Sequence, residues 1–222
     1  MTVDTIYAPS TAIGGAIALI RVSGPLCSQI ARGMLDRDVT KTPRMLRFVR
    51  ILDGAKVLDD GMACFLPGKG TYTGEDMLEL SCHGGSRTVA RLLERLSRTG
   101  ARPAEPGEFT KRAFLNGKMD LSEAEAVMDV VSARAEESLK AALEQHHGKL
   151  SERITAIEEL LIDSLSAIDA AVDYPDEMEE DVSLALPESL TRARREIDGL
   201  IAEGRQGRVL REGVYEIGRA HV

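Results

Sequence analysis

The sequence predicts an α+β protein in two parts: an N-terminal α/β domain with a mixed sheet, then an all-α domain of long helices. Three observations carry this. As far as residue 118, short β-rich apolar runs alternate with short amphipathic segments, punctuated by Gly and Pro. From Leu121 to Val172 the apolar residues recur at steps of three and four, the period of a helix with one buried stripe. Charge divides at the same place: residues 1–118 hold 17 Lys+Arg against 12 Asp+Glu, net +5, and the remainder 11 against 24, net −13.

In the first part, Ala16–Arg21 is a compact apolar run between Gly14-Gly15 and Gly24-Pro25, which reads as a buried strand. Pro25 suits a first helical turn, so Leu26–Leu35 reads as a helix. Met45–Leu52, the Asp53-Gly54 pair and the run ending at Met62–Leu66 make a hairpin. Met77–Cys82 is a further strand, closed by His83-Gly84-Gly85. Val89, Leu92, Leu93 and Leu96 mark one face of a helix that stops at Gly100. Pro106-Gly107-Glu108 opens a last short segment that runs to Asn116-Gly117.

In the second part, Ser122 with Glu125 three residues later reads as a capping box at the helix start. One unbroken helix from Leu121 to Val172 would be about 75 Å long at 1.5 Å per residue, so Gly148 is expected to break or bend it. Asp173–Asp181 reads as an acidic loop, and Pro187 as the first turn of a further helix through Ile197 and Ile201. Taken alone, this part is a helical bundle with no chemistry of its own.

Composition sets outer limits. With 43% hydrophobic and 29% charged residues the chain is of ordinary globular type, and no apolar run approaches the roughly 20 residues that span a bilayer. No export signal is visible, and three widely spaced cysteines (Cys27, Cys64, Cys82) fit a reducing compartment, so a cytoplasmic location is expected. The basic front half suits an anionic ligand or RNA, although five net charges also make an ordinary solvated surface.

Three ionisable residues stand where structure alone does not demand them. Arg21 ends an apolar strand, Glu79 interrupts Met77–Cys82 between Leu78 and Leu80, and Lys118 follows the Asn116-Gly117 turn. Alternation places Glu79 with Met77 and Ser81, and Leu78 with Leu80 in the core. Surface charges or a structural ion pair are the plain reading. A pocket is the sharper one, since a carboxylate accepts two N–H bonds from a heterocycle while Arg or Lys holds an anionic tail. No metal site is expected, because His83 beside Cys82 has no second Cys/His pair at ligand spacing. No catalytic nucleophile is recognisable either. A phosphate loop needs Gly, four residues, then Gly-Lys-Ser/Thr. Gly68-Lys69 is followed by Gly70, with Ala63 five residues before Gly68, and Gly148-Lys149 by Leu150, so neither makes one.

Several segments, in order, resemble the tRNA modification GTPases of the MnmE/TrmE family. They are Asp4-Thr-Ile6 with Gly14-Gly15, Ile20–Gly24, Tyr72–Asp76 running into Leu78-Glu-Leu80, and His83-Gly-Gly85. The most specific is Ala104–Leu121 followed by Ala124-Glu-Ala126, and Asp173-Tyr-Pro175 and Leu210–Gly213 complete the match. The resemblance implies a tetrahydrofolate-binding and dimerisation domain over residues 1–118, with 5-formyltetrahydrofolate or a related form as ligand. It implies a partial helical domain over 119–213, into which the family inserts a GTPase domain. It carries the folate contacts onto Arg21, Glu79 and Lys118, with Glu79 on the pterin and the two bases on acidic or carbonyl groups.

It further implies a homodimer through the N-terminal domain, tRNA as substrate, a flavin-dependent partner protein, and modification of a wobble uridine at C5. GTP, Mg and K are expected only in the GTPase domain, which is expected to be missing here. Pro9–Ile13 lacks the Pro-Gly pair common in the family, so the pocket entrance is expected to differ. Glu216–Val222 back-translates to a widely used sequencing-adapter sequence, so residues 214–222 are expected to be a non-native tail on a truncated fragment. Two other readings stay open: a stand-alone folate-dependent one-carbon transferase, and a non-catalytic helical scaffold.

Overall fold

The computed structural model describes residues 4–133, 136–173 and 175–212, with backbone only for 175–185, 206 and 208–212. Two compact units divide between Met119 and Asp120. The first holds a six-stranded sheet in the order β3-β4-β5-β2-β1-β6. Its strands are β1 (Ile6–Pro9), β2 (Ile17–Ser23), β3 (Arg47–Asp53), β4 (Lys56–Leu66), β5 (Met77–His83) and β6 (Arg102–Pro103). All neighbours are antiparallel except β1 and β6, which makes the sheet mixed.

Alternation along these strands sorts the two faces. Ala18, Ile20 and Val22 of β2 and Leu78, Leu80 and Cys82 of β5 join Ala63, Phe65, Val49 and Ile51 in the core. Helices α1 (Cys27–Met34) and α2 (Ser86–Ser97) cover that face, inserting Ile30, Met34, Val89, Leu92 and Leu96. Burial raises the thiol pKa of Cys27 to about 12 and of Cys82 to about 11, so both stay protonated at neutral pH. The opposite face carries Arg21, Glu79 and Ser81 together with Ile17, Phe48 and Met62. The Met45–Leu66 hairpin, the strand at Met77 and the helix ending before Gly100 stand where the sequence pattern expects them. The edge pair β1 and β6 has no such pattern, being too short to show a period.

The second unit comprises α4 (Leu121–Ser132), α5 (Glu136–His146), α6 (Lys149–Asp173) and α7 (Pro175–Glu212). Gly148 breaks the stripe at φ 78, a left-handed value that glycine adopts freely. Three expectations are corrected here. The stripe breaks a second time after Ser132, so it forms three helices. The capping box is made by Asp120 and Glu123: Asp120 Oδ1 accepts from Glu123 N at 2.9 Å, and Glu123 Oε2 from Asp120 N at 2.7 Å. Ser122 instead bonds Ser151. The acidic stretch is part of α7, with Pro175 at its first position and Pro187 inside it. Glu and Met are good helix formers, so an acidic composition does not separate loop from helix.

Helices α6 and α7 run antiparallel, since Arg153 near the start of one pairs with Glu196 and Glu203 in the second half of the other. Ile157, Ser164 and Ala193 are buried, whereas Leu161, Ile162, Leu165, Val172, Leu190 and Ile201 are exposed. Apolar side chains at helical spacing thus remain uncovered along this unit. Among the described residues no helix is long and apolar enough to cross a membrane. The segment 214–222, expected to be non-native, lies outside the described residues.

Candidate functional site

Glu79 sits directly opposite Arg21 in the β2–β5 ladder and opposite Cys64 in the β4–β5 ladder. The three side chains form a row across the sheet face away from α1 and α2. Arg21 Nε donates to Glu79 Oε1 at 2.8 Å, and the two side chains are 34% and 26% exposed. That partial exposure leaves the pair open to a ligand. Among the described residues Glu79 Oε2 and the terminal nitrogens of Arg21 have no hydrogen-bond partner. A carboxylate offers about four acceptor positions, so Glu79 can hold Arg21 and still take a forked pair of N–H donors.

The loop after β4 builds one wall. The Tyr72 ring lies 5.9 Å from the Arg21 guanidinium carbon, within cation–π range. Its hydroxyl is 2.9 Å from Thr110 Oγ1 of α3 (Glu108–Leu115). Asn116 Nδ2 donates to Thr73 O at 2.7 Å, pinning the same loop to the end of α3. Lys118 packs on the same loop. Its stem passes over Gly74, whose φ of 78 and tight clearance to Lys118 both favour glycine. Its ammonium donates to Lys69 O at 2.9 Å, leaving two N–H groups. The fold therefore brings Arg21 and Glu79 into direct contact. Lys118 makes no hydrogen bond or ion pair to either, and is held on the loop that carries Tyr72.

Behind this wall a charge network fixes α3. Arg112 Nη2 bonds Asp4 Oδ1 at 2.6 Å and Glu108 Oε1 at 3.1 Å, and Nη1 reaches Glu75 Oε1 at 3.1 Å. Arg102 pairs with Asp4 and Glu108 at 2.6 and 2.5 Å. Glu75 Oε2 also accepts from Ser23 Oγ at 2.7 Å, two residues beyond Arg21. Asp4, Glu75, Arg102, Glu108 and Arg112 line a cavity of about 260 Å³. Sequence reasoning singled out none of Tyr72, Thr73, Glu75, Arg112 or Asn116, although all lie within the two motif segments quoted above.

The Arg102 hydrogen bonds hold the Glu108 carboxyl down at about 2, against the opposing effect of its burial. A lowered carboxylate contributes stability above its unfolded value and loses it as pH falls through the folded one. Melting temperature should therefore drop between about pH 4.5 and 2, a loss of roughly 2–3 kcal/mol from this group. The Glu108→Gln variant should show a flatter profile there by circular dichroism.

At its other end the same sheet face is apolar and open. Ile17 is 66% and Phe48 54% exposed, beside a cavity of about 270 Å³ that also touches Met62 and Ser81. His83 Nδ1 stands 2.7 Å from Asp59 Oδ1 at its rim, and that carboxylate raises the His83 pKa. Among the described residues no group of three or more His, Cys, Asp or Glu is arranged to hold a metal.

Comparison with known proteins gives the family of both units. The family model described as the GTP-binding protein TrmE N-terminus matches residues 5–118, and that of the MnmE helical domain matches residues 121–221. A tRNA modification GTPase MnmE from Akkermansia muciniphila is 44% identical over 215 residues, 95% of this chain and 48% of the relative. The proteins of that name from Bacillus pumilus and Bacillus subtilis are 41% and 40% identical over 231 residues, 99% of this chain and 50% of each relative. The chain thus spans about half the length of these relatives. Because two family models match in succession, one on each compact unit, the chain belongs to the MnmE/TrmE family.

Proposed function

We propose that the N-terminal unit binds 5-formyltetrahydrofolate, or a closely related tetrahydrofolate, through Arg21, Glu79 and Lys118. The observation that carries this reading is the Arg21–Glu79 pair, whose outward acceptor and donor atoms have no partner among the described residues. Glu79 Oε2 accepts from the N–H edge of the pterin, Arg21 takes a carbonyl or acidic group, and Tyr72 offers a ring face beside them. Lys118 supplies a second positive charge.

In this reading the chain supplies folate binding and dimerisation to a cytoplasmic tRNA-modifying GTPase, and does not itself hydrolyse GTP. The whole protein modifies the wobble uridine of certain tRNAs at C5, with the folate as one-carbon donor and a flavin-dependent protein as partner. GTP, Mg and K belong to a GTPase domain outside residues 1–222. The exposed Ile17 and Phe48 favour pairing of the N-terminal unit with a second copy.

Calorimetric titration of the chain with 5-formyltetrahydrofolate tests the proposal. Saturable binding that depends on Glu79 supports it. Absence of binding favours a helical scaffold. Release of a transferred one-carbon group without GTP favours a stand-alone transferase.

A further inference from the structure

Among the described residues other than glycine, only Arg44 has a left-handed backbone, with φ 62. Such a conformation is unfavourable for a side chain that does not hydrogen-bond locally. Two contacts hold it. Arg44 N donates to Phe65 O at 2.8 Å, which ties it to the β3 side of β4. Its guanidinium lies across Gly70, where a built Cβ would overlap Nη2. Yet that guanidinium has no hydrogen bond or ion pair among the described residues. Arg44 is exposed, so its head is hydrated and adds no protein contact that would offset the left-handed backbone.

The head does sit in the field of the site. Cys64 Sγ is pushed up first by burial and then by Glu79, and is drawn down by Arg44, so both charges act on one thiol. Cys64 is the residue opposite Glu79 in the row that begins at Arg21. From β2 to β4 is two strand spacings, roughly 10 Å. Arg21 and Arg44 therefore bracket Glu79 and Cys64 from opposite sides. Gly70 adjoins Lys69, whose carbonyl holds the Lys118 ammonium.

We propose that Arg44 is a specificity residue that binds the carboxylates of the glutamyl tail, at the end of the site remote from the Arg21–Glu79 pair. This rests on the folate reading above. Gly70 is the matching device: the absence of a Cβ lets the guanidinium lie flat against the loop and fixes its direction. The left-handed backbone at Arg44 is the cost of that placement.

The test titrates the whole chain with 5-formyltetrahydrofolate, its triglutamate form and tail-less 5-formyltetrahydropteroate. Arg44→Gly is the main variant, because glycine relieves the backbone while removing the charge. It is expected to melt no lower than the wild type. It should bind both tailed ligands at least tenfold more weakly and the tail-less one within twofold. Gly70→Ala keeps the charge but displaces it, and should show the same selective loss to a smaller degree. Arg44→Lys should recover part of the affinity. Equal losses for tailed and tail-less ligands, or no loss in either variant, would overturn the proposal. If the wild type binds none of the three, the folate reading falls and takes this inference with it. If binding needs Glu79 but ignores Arg44, only this inference falls.

Discussion

Replacing Glu79 with alanine is expected to weaken 5-formyltetrahydrofolate binding by about a hundredfold. Two hydrogen bonds to a charged acceptor contribute about 3 kcal/mol together, and 1.4 kcal/mol is a factor of ten. The loss has two parts. The carboxylate is gone from the N–H edge of the heterocycle, and Arg21 loses the 2.8 Å contact that orients it. Arg21→Ala should cost less, because Glu79 then keeps its acceptors and loses only its anchor. Neither change should unfold the unit. The pair is about one-third exposed, and ion pairs of that kind contribute less than about 1 kcal/mol to stability. A variant that binds poorly but melts within a few degrees of the wild type is the expected result. Unchanged affinity in Glu79→Ala would remove Glu79 from the site.

Arg112→Met is expected to be the most destabilising single change in the N-terminal unit, by about 3–5 kcal/mol. Its side chain is 11% exposed and bonds three carboxylates, on Asp4, Glu75 and Glu108. Methionine preserves the volume, so packing changes little, but Glu75 loses its arginine while Asp4 and Glu108 keep only Arg102. The pH dependence distinguishes this cause from a packing defect. In the wild type Asp4 and Glu108 are lowered by their arginines, after burial has pushed the other way for Asp4. Wild-type stability therefore declines as pH falls through those lowered values. In the variant the crowded carboxylates take up protons more readily, so acid should narrow the gap between the two melting curves. A gap that stays constant from pH 7 down to about 2 would assign the loss to packing. Because Asn116 and Thr110 of the same helix segment hold Thr73 and Tyr72, ligand binding should weaken with it.

The period of a strand or helix is a local property, and it was legible. Leu78 and Leu80 point into the core while Glu79 points away, as alternation requires. The change of period at Leu121 reflects the passage from the mixed sheet to the helices. Errors arose where two local signals compete. Ser122 and Asp120 both suit a cap; Asp120 serves through Glu123, while the Ser122 hydroxyl is taken by Ser151 of a distant helix. Pro187 is as compatible with a first turn as with the interior of a long helix, and burial of Ala193 against α6 favours continuation.

The candidate site divides along the same line. Arg21, Glu79 and Lys118 stood out because a charge in an apolar run, or just after a tight turn, is visible in one dimension. Tyr72, Arg112 and Arg44 did not, because nothing near them in the chain shows what they meet: a guanidinium from another strand, three carboxylates and the bare backbone of Gly70.

By itself, then, the order of residues determined the two-part architecture, strands β2 to β5 with the helices α1 and α2, and the odd charges on them. These follow from backbone geometry and from which side chains water rejects, both settled within a few neighbouring positions. The tertiary structure alone decided that Arg21 meets Glu79, that Lys118 leans on the Tyr72 loop and that Arg44 lies across Gly70. Such meetings depend on strand order and register, which join residues 58 positions apart in the first of these pairs and leave no periodic trace along the chain.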